Sequence, residues 1–306
     1  MDTKKYEIFL EIVKQGSFTK AAEALNYTQS GVTQVMNTLE KEIGYPIFVR
    51  SKKGVSVTKA GEELIPYMQA VLRDQESLEQ KVSFSKGLQS GSVTVGSFMS
   101  ISISYLPRIM SKFQEDYPNI DVTVLEGGDA EIEGWLNTQT ADIALCSKHS
   151  SIEFDWLPLF EDELVAVLPA DHPMLERESV PMEFFEGTDF IISDRDFDYE
   201  IPHALRQANV TPQIRFRSRS DFAIAAMVES GLYCSILPAL ILKKFSGKVV
   251  TRPLDPPYPR YLGVAVKNCD EISPAAAEFV RYARRIITGA TGKKIPWEKA
   301  THETEK

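Results

Sequence analysis

Two short helical patterns separated by a two-residue turn constrain this chain more than any other feature. Ala21, Ala22 and Leu25 form the apolar face of the first, Asn26-Tyr27 make the turn, and Val32, Val35, Met36, Leu39 and Ile43 recur at helical spacing on the second. Ser17 or Thr19 stands where an N-cap of the first belongs. Thr28 does so for the second, and Gly44 closes it as a left-handed C-cap. Upstream, Tyr6, Phe9, Leu10 and Val13 mark a helix within residues 3–15 that ends at Gly16. Helices joined so tightly read as a helix-turn-helix, although spacing alone also suits other small bundles. The next fifteen residues narrow the choice. Ile47–Arg50 and Val55–Thr58 read as two strands about a Ser51-Lys52-Lys53-Gly54 turn. A hairpin after a third helix makes a winged helix-turn-helix. Its tip carries Arg50, Lys52 and Lys53, cations suited to phosphate; a solvated basic turn is the plainer alternative.

Charge follows the same division. The 306 residues carry a net charge of −9, yet residues 1–60 hold nine Lys and Arg against six Asp and Glu. A basic module joined to an acidic body is the reading. The length predicts two or three domains. The N-terminus lacks a secretory apolar stretch and no run is long enough to span a bilayer, so the expectation is a cytoplasmic protein without a membrane partner. Cys146, Cys234 and Cys269 are far apart. The first two sit in apolar runs and read as buried, with a redox pair as the alternative. No metal or cofactor motif is found, so neither is expected.

Residues 59–86 form a long helical pattern, with Pro66 near its start. Leu64, Met68, Val71, Gln75, Leu78 and Val82 alternate at spacings of four and three, a heptad-like seam. Self-association through this seam is the favoured reading, burial against the chain's own body the alternative. Gly87 to Gly91 reads as a hinge. Beyond it, strands at Ser92–Ser97, Ile120–Leu125, Asp142–Cys146, Glu163–Leu168, Phe190–Ile192, Ile214–Arg217, Cys234–Leu237 and Val264–Lys267 interleave with helices. Such alternation predicts a mostly parallel sheet covered on both faces.

Phe9, Gly16-Ser17-Phe18-Thr19, Ala21-Ala22, Leu25, Thr28-Gln29-Ser30, Val32-Thr33, Leu39-Glu40, Glu42-Ile43-Gly44, Ile47-Phe48, Arg50, Gly54-Val55, Thr58 and Ala60-Gly61 stand in one ordered series. In that series the chain resembles the LysR-type transcriptional regulators of bacteria. The resemblance continues through Val95-Gly96, Leu106-Pro107, Tyr117-Pro118, Glu126-Gly127, Ala141-Asp142-Ile143-Ala144, His172-Pro173, Gly231 and Leu237-Pro238, to about residue 287. It implies an α+β multi-domain fold: a winged helix-turn-helix at 1–60, a linker helix and hinge at 61–90, and a two-lobed α/β effector domain at 91–306, resembling periplasmic solute-binding proteins. Lobe I would take about 91–161 and 267–290, lobe II about 162–266.

The resemblance also implies a mechanism. The third helix would enter the major groove of double-stranded operator DNA, with Gln29, Ser30, Thr33 and Gln34 at the bases and Arg50, Lys52 and Lys53 at phosphates. Family members often carry Pro where Ser30 stands and Arg where Gln34 stands, so base preference is not transferable. A small-molecule effector would bind between the lobes at Ser100, Ser102, Asp129, Ser193, Ser218, Ser220 and Phe222, the last three within the stretch Ser218–Phe222. Ser100 and Ser220 also suit capping of the helices they precede, and Asp129 reads first as a cap. A carboxylate at Asp129 would favour neutral or cationic effectors. Homodimers, commonly paired as tetramers, and contact with RNA polymerase complete the implied partners. The alternatives are a redox-responsive regulator of the same fold, a solute-binding protein and an enzyme. Ser193, Asp194 and four histidines form no catalytic motif, each histidine reading as surface or turn.

Overall fold

The computed structural model describes residues 2–51, 54–86, 90–148, 154–194 and 199–291, with Arg50, Ser51, Gly54 and Thr291 described by backbone alone. The chain divides into two compact units, Met1–Lys86 and Gly87–Lys306.

The first unit contains α1 (Thr3–Gln15), α2 (Phe18–Ala24), α3 (Gln29–Ile43), the hairpin β1 (Phe48–Ser51) and β2 (Gly54–Val57), and α4 (Lys59–Ser85). Each helix start is set by a short polar side chain: Asp2, Ser17, Thr28 and Thr58 accept from backbone N–H groups of the first turns. Gly44 ends α3 at φ 93°, a conformation that side chains with a Cβ resist. Ile8, Phe9, Ile12, Val32, Met36, Leu39 and Ile47 are almost wholly buried in one core. Glu40 anchors the wing, since its Oε1 accepts from the N–H groups of Ile47 at 2.8 Å and Phe48 at 3.2 Å. Gly61 is required where α4 passes the wing: a Cβ there would lie 2.6 Å from the Ile47 carbonyl oxygen.

The seam on α4 divides. Met68 is buried against the helix-turn-helix core and Leu64 packs at its edge, as the alternative reading held. Val71, Leu78 and Val82 stay exposed, Leu78 at 63%.

The second unit begins with β3 (Ser90–Ser97), α5 (Met99–Ser104), α6 (Leu106–Asp116), β4 (Asn119–Glu126), α7 (Asp129–Asn137) and β5 (Ile143–Ser147). Next come β6 (Asp155–Leu168), β7 (Val180–Pro181), β8 (Asp189–Ser193), α8 (Glu200–Gln207), β9 (Gln213–Ser218), α9 (Asp221–Glu229), β10 (Ser235–Pro238), α10 (Ala239–Leu242), β11 (Val250–Val266) and α11 (Pro274–Thr291). The main sheet runs β10-β6-β11-β5-β3-β4, with β7 paired to β11. The hinge reading of Gly87–Gly91 falls partly outside the described residues; Ser90 and Gly91 already belong to β3.

The expectation of a mostly parallel sheet is corrected. β3 pairs in parallel with β4 and β5, and β8 with β9, but β6, β10 and β11 pair antiparallel, as do β11 and β5. The reason lies in two long strands. β6 and β11 form a long antiparallel ribbon that runs from Val250↔Leu168 to Val266↔Asp155. Only the apolar ends of these strands read as strand in the sequence. Pro158 interrupts one, and Pro253, Pro256, Pro257 and Pro259 the other, and proline removes ladder donors. The ribbon tolerates them through register shifts between Pro253 and Tyr258 and between Leu262 and Gly263.

Two lobes are built on this ribbon. On one side, Ile132, Leu136, Ala144, Cys146 and Ala265 form a core. On the other, Phe185, Phe190, Ile192, Ile201, Val180 and Ile236 form a second, and Ile191, Ile224, Val228 and Leu237 a third on the opposite sheet face.

Candidate functional site

In the first unit, α3 turns its apolar stripe inward and its polar stripe to solvent. Gln29, Ser30 and Gln34 are exposed. Ser30 Oγ lies 3.2 Å from Thr28 Oγ1, whose lone pair accepts from Gly31 N–H at 3.1 Å. Thr33 is half-buried, and its Oγ1 is shielded without a partner among the described residues. Asn37 and Thr38 extend the exposed polar stripe and were not singled out in the sequence; their spacing of three and four from Gln34 carries the signal. Lys52 and Lys53, and the side chain of Arg50, lie outside the described residues.

In the second unit, a cleft opens where strand ends and helix starts converge. It is lined by Phe98, Met99 and Ser100 after β3, Gly127, Gly128 and Asp129 after β4, Ser193 ending β8, Glu200 starting α8, Asp221 starting α9, Pro238 ending β10, and Arg260 on β11. Strand C-termini and helix N-termini offer such a site oriented amides.

Arg260 is the electrostatic centre. It is 4% exposed, with Nη1 3.1 Å from Glu200 Oε2, Nε 3.7 Å from Asp162 Oδ2, and Nη2 donating to Ser100 Oγ at 3.4 Å. Its guanidinium also lies over the Phe98 ring. Burial pushes the Asp162 and Glu200 carboxyls up, and Arg260 pulls both back. Burial likewise pushes Asp221 up to about 6.

Of the residues anticipated for effector contact, Ser100, Asp129 and Ser193 line this cleft. Ser100 is the second residue of α5, not its cap; Phe98 holds that position. Asp129 opens α7 after the cap Gly128, and its Oδ2 accepts from Tyr199 N–H at 2.8 Å. Ser102 is buried within α5 and does not line the cleft. Ser218 Oγ accepts from Ser220 N–H at 3.1 Å and Ser220 caps α9, so both serve the turn. Phe222 stacks on Phe245 away from the cleft. Glu200 and Arg260 were not anticipated, and Asp221 was covered only as part of the stretch Ser218–Phe222. No local pattern singles out Glu200 or Arg260; Arg260 lies in a proline-interrupted stretch outside the predicted strand, and Asp221 follows a serine read as a cap.

Cys146 and Cys234 are buried free thiols, and burial pushes both up, Cys234 to about 11. His172 caps a turn through Nδ1, and His203 is half-buried, stacked on Tyr199 with Nδ1 2.6 Å from the Tyr258 hydroxyl. Among the described residues no cluster suits a metal ion, and no helix is long and apolar enough to cross a membrane.

A helical module with a wing, followed by a long helix and a two-lobed α/β body with a cleft, defines a DNA-binding regulator type. Comparison with known proteins makes the class specific. Residues 3–62 match the bacterial regulatory helix-turn-helix proteins of the lysR family, and residues 86–287 match the LysR substrate binding domain. The chain belongs to the LysR family of transcriptional regulators. It is 28% identical to the uncharacterized HTH-type transcriptional regulator YvbU of Bacillus subtilis, over 94% of this chain and 99% of that one. It is 25% identical to the Hca operon transcriptional activator HcaR of Escherichia coli, over 95% and 100%. In fold it is similar to a full-length OxyR variant from Pseudomonas aeruginosa, with TM-score 0.74, 21% identity and coverage of 97% and 99%.

Proposed function

We propose that this regulator reads an operator through α3 and that a small molecule seated in the cleft of the second unit sets its activity. One observation carries the DNA reading. Gln29, Ser30 and Gln34 project to solvent from a helix whose opposite face is the domain core, so their side chains are free to meet base edges without cost to the fold. Thr33, Asn37 and Thr38 lie on or beside the same stripe. Arg50, Lys52 and Lys53 on the wing would meet phosphates and add salt-dependent, sequence-independent affinity. The effector reading is supported by the convergence of strand ends and helix starts on one cleft with three anticipated residues in its wall.

Exposed Val71, Leu78 and Val82 on α4 support self-association as a dimer, with pairing of dimers and contact with RNA polymerase as further steps in the cytoplasm. Redox control through Cys146 and Cys234 has less support, because thiols buried and held protonated are poor nucleophiles.

A thermal-shift screen of metabolites, followed by gel-shift titration on promoter DNA with and without each hit, tests the whole reading. A hit should raise the melting midpoint and change operator affinity or complex mobility. Sequence-indifferent DNA binding, unaltered by any hit, would sink it.

A further inference from the structure

Ser193 and Asp221 line the cleft from two neighbouring turns, and among the described residues neither side chain makes a hydrogen bond to the fold. Ser193 is 2% exposed, lines the cleft, and its hydroxyl has no partner among the described residues. A buried hydroxyl left this way is uncommon and destabilising, and a ligand group in the cleft would satisfy it. Asp221 sits in the first turn of α9 with its carboxylate at the cleft wall. Among the described residues Arg260 is the one charge that draws it toward ionisation, against burial.

The remaining polar groups are already engaged. Arg260 faces Glu200, Asp162 and Ser100, and Asp129 accepts from Tyr199. The described wall therefore sets Asp129, Glu200 and Asp221 against a single cation, with Asp162 behind it. A carboxylate entering here would add a like charge to an acidic, buried site. An ammonium or amidinium would supply the missing counter-ion.

We propose that the cleft takes the positively charged end of a small organic cation, a primary ammonium or an amidinium. Asp221 is its counter-ion, Ser193 Oγ accepts from it, and Phe98, Met99 and Pro238 flank its apolar stem. This rests on the cleft being the effector site.

Calorimetric titration of the full chain above pH 6 with n-butylammonium chloride and with sodium butyrate tests the assignment. The expected result is saturable n-butylammonium binding, at least about tenfold tighter than butyrate. Asp221→Asn should weaken it about tenfold or more, and Ser193→Ala several-fold, neither lowering the melting midpoint of the free protein. Butyrate binding more tightly than n-butylammonium overturns the cation class; loss of that binding in Ser193→Ala would still leave the cleft as the effector site. Absence of n-butylammonium binding, or binding that both substitutions leave unchanged, overturns the proposal. In that case a screened metabolite whose melting shift vanishes in Ser193→Ala would uphold the cleft itself.

Discussion

The carboxylate of Asp129 and the main-chain N–H of Tyr199, 70 positions apart, meet in a 2.8 Å hydrogen bond that joins the two lobes across the cleft. A second bridge, Arg219 to Glu131, joins the same lobes, and Glu131 also accepts from Gly128 N–H. The two differ in surroundings. The Arg219–Glu131 pair is exposed, and solvent screening leaves such pairs little net stabilisation. A charge-assisted bond to a part-buried amide is worth about 1.5–3 kcal/mol. Asp129→Ala should therefore destabilise the protein by about that amount in urea titration, Asp129→Asn by less. Arg219→Ala should leave stability close to the parent's. Equal losses from the two alanine variants would refute the ranking.

The α3 stripe separates two side chains that sequence alone treats alike. Gln29 is exposed and uncommitted to the core, whereas the Thr33 hydroxyl is shielded from solvent without a partner among the described residues. Gln29→Ala should cost about 1–3 kcal/mol of discrimination between operator and random DNA while leaving the circular dichroism spectrum intact. Thr33→Val keeps shape and drops only the shielded hydroxyl. It should bind the operator as the parent does and melt no lower. Gel-shift titration decides both, and a large loss in Thr33→Val would mean the hydroxyl rotates outward to contact DNA.

Arg260 holds together carboxylates that the burial of the cleft would otherwise neutralise. Arg260→Met leaves Glu200 and Asp162 without their shared cation, and a broken buried pair costs about 3–5 kcal/mol. Glu200→Gln removes one acid and keeps Arg260 paired with Asp162, so its cost should be smaller. Chemical denaturation of the two variants gives the order, and a milder effect from Arg260→Met would contradict it.

Legibility of the fold tracks how local each signal is. The caps at Thr28 and Gly44, and the choice of Ser17 or Thr19 that resolves to Ser17, depend on neighbours within four residues and were open to the sequence; the cap at Thr58 was hidden by its reading as a strand end. The β6–β11 ribbon pairs residues about a hundred positions apart and tolerates prolines through register shifts, so its extent was hidden. The cleft divides in the same way. Asp129 and Ser193 were legible because each follows a recognisable strand. Glu200 and Arg260 acquire their roles only when α8 and β11 meet, and no local pattern announces such a pair. Ser220 shows the reverse, since its capping chemistry was visible and is what the fold uses it for, whereas the turn role of Ser218 was not read.

Asp221 gives stability a pH dependence whose sign is fixed. Burial raises its folded-state pKa from the usual 3.8 to about 6, so the folded chain holds this proton more tightly than the unfolded chain does. The resulting stabilisation is complete below the unfolded value and is lost as pH rises through about 6. Arg260 opposes the shift, whereas Asp129 and Glu200 stand at the same cleft. Asp221→Asn removes the proton and should flatten this part of the profile. The difference in unfolding free energy, variant minus parent, should grow from acidic to neutral pH and level off above pH 6. Urea titrations of both proteins across that range give the curve, and a difference independent of pH would place the Asp221 carboxylate in solvent.

The exposed half of the α4 seam sets the last expectation. Met68 already belongs to the helix-turn-helix core, so substitution there would confound assembly with folding. Val71, Leu78 and Val82 recur at heptad spacing, with Leu78 and Val82 distant from that core, and each exposes more than two fifths of its surface. Apolar residues left exposed at this spacing gain by burial against a second copy, at roughly 25 cal/mol per Å² of apolar area removed from water. Leu78→Glu with Val82→Glu should shift the protein from dimer or larger to monomer in sedimentation velocity. Helix content and melting of the N-terminal unit should stay near the parent's. Operator affinity should fall because one half-site is then held at a time. A double variant that sediments as the parent does would mean another surface carries the self-association.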